Sequence, residues 1–310
     1  MNEPAPRHVS TSDAARRMHR AELEIVIGSV FISFSGVFVK IAHVGPTAAG
    51  VYRNLFGALA LLAIALARRD SFWKGWRNFR WVILGGLAFA ADIYFWHRSI
   101  HYVGPGLATI LGNFQVFFMA AAGILIFREP ANVRFLVSVP IAVMGLLLLV
   151  GLNWSDFDAR YRTGVLFGIF TAASYAAYLL CLRGARREPD RLSAPANLTW
   201  VTAFTALLLV LAAMVDGETL RIPDTQTALI LISYGVLCQA LGWIIISRNF
   251  HHVPASRVAL ILLLQPALTF VWDILFFHRP TTGIELAGAL LAIGAIYLGG
   301  IQPARAKGAS

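Results

Sequence analysis

The chain has 310 residues, of which 58% are hydrophobic and only 14% charged, with mean hydropathy +0.68 and a formal charge of +10. A soluble domain needs about 25% charged residues to cover its surface, so a soluble fold is excluded. The positive charge does not mark a nucleic-acid partner, because the basic residues sit mostly in short loops rather than along one continuous face.

Residues 1–21 form a polar tail carrying Arg7, Arg16, Arg17 and Arg20, with no apolar stretch or cleavage site of a signal peptide. Apolar runs then recur to the end of the chain. Each is about 20 residues long, and 20 helical residues rise about 30 Å, the thickness of the hydrocarbon core. The pattern predicts ten transmembrane helices, near 22–42, 47–68, 81–101, 105–127, 132–151, 164–183, 195–215, 226–248, 254–277 and 282–301. Gly45-Pro46, Gly104-Pro105, Glu129-Pro130, Arg279-Pro280 and charged clusters punctuate them. Lys and Arg counted in alternate loops fall eighteen on one side and five on the other, which places both termini in the cytoplasm. Lys40, Arg53 and Arg257 lie within spans. Lys40 is read as snorkelling to the outer interface.

A shift of 150 residues lays the chain on itself without gaps. Gly85 meets Gly235, Arg98 meets Arg248, His101 meets His251, Val103 meets Val253, Gln115 meets Gln265, Phe127 meets Phe277 and Pro130 meets Pro280. The shift maps the third, fourth and fifth spans onto the eighth, ninth and tenth. A repeat of five spans is odd in number, so the second copy runs upside down. The expected fold is therefore all-α integral membrane, with two inverted five-helix repeats (22–151 and 164–301) around a central cavity, followed by a cytoplasmic tail at 302–310.

Polar groups in hydrocarbon are expensive, so their positions carry information. The first span has Ser33 and Ser35 at its middle, the third Asp92, and the fourth Asn113 and Gln115. The sixth has Ser174, Tyr175 and Tyr178, the eighth Gln239 with Trp243 one turn on, and the ninth Gln265 followed by Pro266. The middles of the second, fifth and tenth spans are apolar, and the midplane offers no basic group. The first, third and fourth spans of each half are thus expected to line a cavity. Asp92, Trp96, Asn113, Gln115, Tyr175, Tyr178, Gln239, Trp243 and Gln265 are the candidate substrate-binding residues. Each has a plainer reading. The serines can bond the preceding helical turn, the amides can join helices, and the tyrosines can pack. Asp92 at the midplane must be protonated, paired or wet. His97 is either a titrating group or a hydrogen-bonded structural histidine. Pro266 frees the carbonyl of Leu262.

Cys181 and Cys238 lie inside apolar segments without metal-ligand spacing. No Walker loop, nucleophile elbow, His-Glu-x-x-His helix or carboxylate pair appears, so catalytic residues, metal, cofactor and an ATPase subunit are not expected. The implied partners are a small-molecule substrate and the lipid bilayer.

Two segments, HYVGPGLATILGNFQVFFMAAAGILIFREP at 101–130 and HHVPASRVALILLLQPALTFVWDILFFHRP at 251–280, end each repeat in a short charged turn and proline. On them the chain resembles the drug/metabolite transporter superfamily, in its ten-span EamA-type branch. The second copy departs from the pattern, since His278-Arg279-Pro280 lacks the acidic residue. The third span, ADIYFWHRSIHY at 91–102, is most similar to exporters of aromatic and other amino acids. The resemblance implies a secondary transporter in the bacterial inner membrane that exports hydrophobic amino acids and related metabolites. A drug, cation or nucleotide-sugar carrier of the same superfamily is the alternative, with a membrane-embedded enzyme or scaffold behind it.

Overall fold

The computed structural model describes residues 11–126, 128, 133–150, 158–249, 253 and 261–300. The turn at Glu129-Pro130, the His251-His252 pair, Arg257, residues 1–10 and the carboxy-terminal tail lie outside the described residues, while residues 11–21, expected as a polar tail, instead form the first turns of a helix that runs on to Ser33. All the regular elements among the described residues are helical: α1 (Thr11–Ser33), α2 (Ser35–Ile41), α3 (Pro46–Ala67), α4 (Trp76–Val103), α5 (Pro105–Asn113), α6 (Gln115–Leu125), α7 (Val133–Val150), α8 (Ala159–Arg187), α9 (Ala194–Val215), α10 (Thr225–Ser233), a π-helical segment (Tyr234–Gly242), α11 (Trp243–Asn249), α12 (Leu264–Phe277) and α13 (Gly283–Gly300). Joined across their short breaks, they give eight helices long and apolar enough to cross a membrane, and two shorter apolar ones, 264–277 and 283–299.

Local chemistry sets the helix ends. Pro46 and Pro105 occupy first-turn positions, where a missing N–H does no harm. Each follows a glycine, and Gly104 takes φ +85°, which a side chain would resist. Asp158, Ser193 and Asp224 cap α8, α9 and α10 by accepting from the N–H three residues on. His278 closes α12 in the left-handed region.

The helices pack as a bundle whose outer surface is apolar. Leu59, Leu84, Val143, Leu166, Leu207, Leu229 and Leu290 are all exposed, a belt that suits lipid and not water. Inside, α4 lies along α8, α3 along α9, and α7 along α13, while α1 lies against α11 and the π-helical segment. The contact of α7 with α13 is backbone to backbone. A Cβ built on Gly145 would stand 2.6 Å from the Ala292 nitrogen, and one on Gly288 would stand 2.6 Å from the Leu149 nitrogen.

Polar ties gather at the two ends of the bundle. At the Gly-Pro end, Glu218 from the α9–α10 loop accepts from the Thr47 and Ala48 N–H groups (2.9 and 3.2 Å) and from the Thr47 hydroxyl (2.8 Å). Arg98 binds Glu218 (3.2 Å), Asp216 and Thr47, and its guanidinium lies over the Tyr94 ring. Beside it, Asp273 accepts from the Gly106 N–H (3.0 Å) and pairs with Arg279. A carboxylate therefore caps each Gly-Pro helix start, where the helix dipole favours negative charge. At the opposite end, Glu188 accepts from Trp81 Nε1 and Arg80 Nη2 (3.0 Å each) and pairs with Arg77. These donors, the Trp81 bond foremost, hold its carboxyl below the usual carboxylate range.

Candidate functional site

Three of the membrane-crossing segments are irregular along their length, as is the start of the shorter apolar helix α12, and those irregularities surround one cavity. Phe34 interrupts α1–α2, Phe114 interrupts α5–α6, and Leu263 sits at the start of α12. The fourth is the π-helical segment 234–242. Unwound turns leave carbonyls without helical partners, and side chains of neighbouring helices satisfy them here. The Ser33 carbonyl accepts from Thr269 Oγ1 (2.9 Å), and the Phe31 carbonyl accepts from Cys238 Sγ (3.0 Å). Trp272 stacks on Phe34 at 4.9 Å and donates to Ser33 Oγ (2.9 Å). Irregular backbone at membrane depth is tolerated where it is buried in protein or lines a cavity.

The cavity holds about 100 Å³, room for several waters. Ile32 and Ser35 line it from the first crossing, and Phe89, Asp92, Ile93 and Trp96 from α4. Thr109, Gly112 and Asn113 come from α5, Tyr175 from α8, Trp243 from α11, and Gln265 and Thr269 from α12. Six of the nine candidate residues thus face one space: Asp92, Trp96, Asn113, Tyr175, Trp243 and Gln265. The other three stand outside its lining. Tyr178 is buried behind it, stacked on Phe89 at 4.6 Å and on Tyr175 at 6.1 Å. Gln239 is buried and bonded on both sides, and Gln115 is the half-buried first residue of α6.

The expectation that no basic group faces the midplane does not hold, because Arg53 of α3 lines the cavity and is only 6% exposed. Its Nε donates to Gln239 Oε1 (2.9 Å) and its Nη1 to the Tyr234 hydroxyl (3.1 Å). Its guanidinium lies 5.2–5.9 Å from the ring centres of Tyr234, Trp96 and Phe89. The bonds around it have a fixed sense. His97 Nδ1 lies 2.9 Å from the Pro46 carbonyl, which can only accept, so Nδ1 carries the proton. Nε2, 3.0 Å from the Tyr234 hydroxyl, is then the acceptor. Tyr234 donates to His97 and receives from Arg53. His97 is fully buried and serves this chain as a hydrogen-bonded link. Small residues beside Arg53 let its partner approach. Gly50 and Gly57 stand one turn to either side, and Gln239 packs so closely over Gly57 that a Cβ there would meet its Cγ at 2.5 Å.

Asp92 is 7% exposed, and among the described residues its carboxylate makes no hydrogen bond or ion pair. Asn113 Nδ2 donates to the Thr109 carbonyl of its own helix (2.8 Å), which leaves its amide oxygen free to accept. The enclosed Thr109 hydroxyl has no partner. No cluster of three His, Cys, Asp or Glu side chains fit to hold a metal exists among the described residues. A cavity of buried polar and aromatic groups, walled by broken helices within an apolar bundle, is a place to hold a small solute inside a membrane.

The profile of the EamA-like transporter family matches this chain over residues 19–151 and again over 162–300. The chain belongs to the EamA-like transporter family. It is a multi-pass membrane protein of the drug/metabolite transporter superfamily. An uncharacterized transporter of Synechocystis is 23% identical to this EamA-like transporter, over 89% of the chain and 92% of the relative. The uncharacterized inner membrane transporter YhbE of Escherichia coli K12 is 26% identical over 79% and 80%. A probable amino-acid metabolite efflux pump of Salmonella typhimurium is 23% identical over 62% and 66%. One solved crystal structure superposes with a TM-score of 0.63 at 16% identity, over 90% of this chain and 97% of that one, a likeness of fold.

Proposed function

We propose that this EamA-like transporter exports amino acids, aromatic and other hydrophobic ones, and related metabolites by alternating access of the central cavity. The observation that carries this reading is the cavity's lining. Trp96, Trp243, Tyr175 and Phe89 offer an apolar aromatic wall, and Asp92, Arg53, Asn113 and Gln265 offer polar groups fit for the head of an amino acid. The name of the Salmonella relative supports the substrate class and the outward direction. The inner-membrane relative, together with the charge bias of the loops, supports a bacterial inner-membrane site with both termini in the cytoplasm.

The moving parts are two inverted five-helix repeats in a ten-span chain. Two findings support that reading. The family profile matches in two segments close to the halves read from the sequence. The helix pairing is also reciprocal: the contact of α4 with α8 has its counterpart in α11 and the π-helical segment against α1, while α3 with α9 and α7 with α13 pair with their own equivalents. Rocking one repeat against the other would open the cavity to alternate sides. Purified protein in liposomes tests the function. Counterflow of a labelled hydrophobic amino acid, chemically unchanged after passage, is expected. Counterflow of only cationic drugs or nucleosides would refute it.

A further inference from the structure

A basic and an acidic side chain share this cavity without bonding to each other. Arg53 and Asp92 both line it, each more than nine-tenths buried, yet no ion pair joins them. A buried charge left without a partner costs several kcal/mol. A pair that served only the fold would therefore close to contact. Here the protein holds it open. Gln239 and Tyr234 take Nε and Nη1 of Arg53, and the rings of Phe89, Trp96 and Tyr234 surround the guanidinium plane. The second Nη group of Arg53 makes no hydrogen bond among the described residues, and neither does the Asp92 carboxylate. A solute that fills the gap can satisfy both by bringing a negative group to Arg53 and a positive group to Asp92.

We infer that Arg53 and Asp92 read the two ends of a zwitterion, so that the transporter accepts solutes carrying both a carboxylate and an ammonium group. This rests on the amino-acid reading above and narrows it to a free α-amino head group. The carboxylate takes the open face of the guanidinium, whose planar fork matches it. The ammonium takes the Asp92 carboxylate, with the Asn113 and Gln265 amides and the unpartnered Thr109 hydroxyl close by. The side chain lies among Trp96, Tyr175 and Trp243. Lone cations are disfavoured, because Arg53 repels them and their binding leaves it unpaired. Phosphate-bearing solutes meet the same objection at Asp92. Gln239, Tyr234 and His97 are positioning residues that act through Arg53.

The test is competition in liposomes holding the full-length wild-type protein. Labelled leucine flux is measured against unlabelled leucine, leucinamide, which lacks the carboxylate, and N-acetyl-leucine, which lacks the ammonium. Leucine is expected to compete more than about tenfold better than either derivative, since a site built around buried polar groups rejects ligands that leave them unpaired. In Arg53→Gln, leucine is expected to lose its advantage over leucinamide, while Arg53→Lys keeps part of it. In Asp92→Asn, leucine is expected to lose its advantage over N-acetyl-leucine. The wild-type comparison needs no variant, so a variant that fails to fold leaves the test intact. Equal competition by all three compounds would overturn the inference and leave amino-acid transport standing. Absence of leucine flux together with flux of another solute class would overturn both.

Discussion

The seam between α7 and α13 gives a quantitative prediction from one methyl group. In Gly145→Ala the new Cβ would stand 2.6 Å from the Ala292 nitrogen and 2.9 Å from the Gly288 oxygen. Both are backbone atoms, which cannot rotate aside, so the helices must part by about 1 Å to restore ordinary contact. A gap of that size forfeits up to about half of each dispersion contact along the seam. Overpacking of this kind costs about 1–3 kcal/mol, and rigid backbone neighbours put this site near the upper end. Alanine returns about 1 kcal/mol of helix propensity, leaving a net loss of about 2 kcal/mol. Gly294 lies on the same helix as Gly288, and a Cβ there would meet nothing within 4 Å, so Gly294→Ala keeps only the gain. The two variants then differ by about 3 kcal/mol, roughly 6–12 °C in melting temperature at about 2–4 °C per kcal/mol. Tryptophan fluorescence of purified protein, followed through thermal unfolding, reads the difference directly. A Gly145→Ala protein that melts at or above the wild-type temperature would refute the close approach of the two helices.

Glu188 has a depressed folded pKa, so its contribution to stability is complete above the ordinary glutamate value of about 4.3 and fades as pH falls through the lower folded value. Melting temperatures measured from pH 7 to pH 3 are expected to fall less steeply in Glu188→Gln than in wild type; parallel curves would show that the carboxylate contributes nothing. In a background with Cys181 and Cys238 replaced, cysteines at Asp92, Asn113 and Gln265 are expected to react with water-soluble thiol reagents. Cysteines at Leu59 and Val143, which face lipid, are not, and equal labelling of the two sets would remove the cavity. Cysteines at Tyr178 and Gln239 are expected to react slowly, because stacking and bonding bury both side chains. Reporter fusions after residue 220 should read as periplasmic and those after residue 188 as cytoplasmic. Swapped signals would contradict the cytoplasmic placement of the termini.

Much of this was legible in the chain because a bilayer imposes simple rules. Runs of apolar residues mark crossings, and Asp92, Asn113 and Gln265 stand out against a background of Leu and Ala. Pro266 cannot donate to Leu262, and α12 begins at Leu264, two residues before it. Arg53 was not legible as a cavity group. It stands seven residues into α3, about 11 Å from the helix start, a depth from which a long side chain commonly reaches the interface. Only the partners on the other half of the chain, Tyr234 and Gln239, turn it inward. The breaks at Phe34 and Phe114 are flanked by polar residues that stood out in the sequence, but those residues did not identify them as breaks. No proline or glycine stands at either break residue, and at the first the displaced carbonyls find their partners on distant helices. The plainer reading of Gln239 as a bond between helices describes what its side chain does in this structure.

The bond from Arg53 to Gln239 also has a meaning in time. The two residues are 186 positions apart, so at about 5–20 residues per second Gln239 is synthesised roughly ten to forty seconds after Arg53. Glu218, which caps α3, follows Thr47 by 171 positions and is delayed almost as long. Through that interval α3 has neither the cap on its first turn nor the two partners that hold its guanidinium inside. The newborn α3 is therefore expected to sit displaced toward the interface, with Arg53 hydrated, and to settle to its final depth only when the π-helical segment arrives. Insertion of the first half is then provisional, and synthesis of the second half completes it.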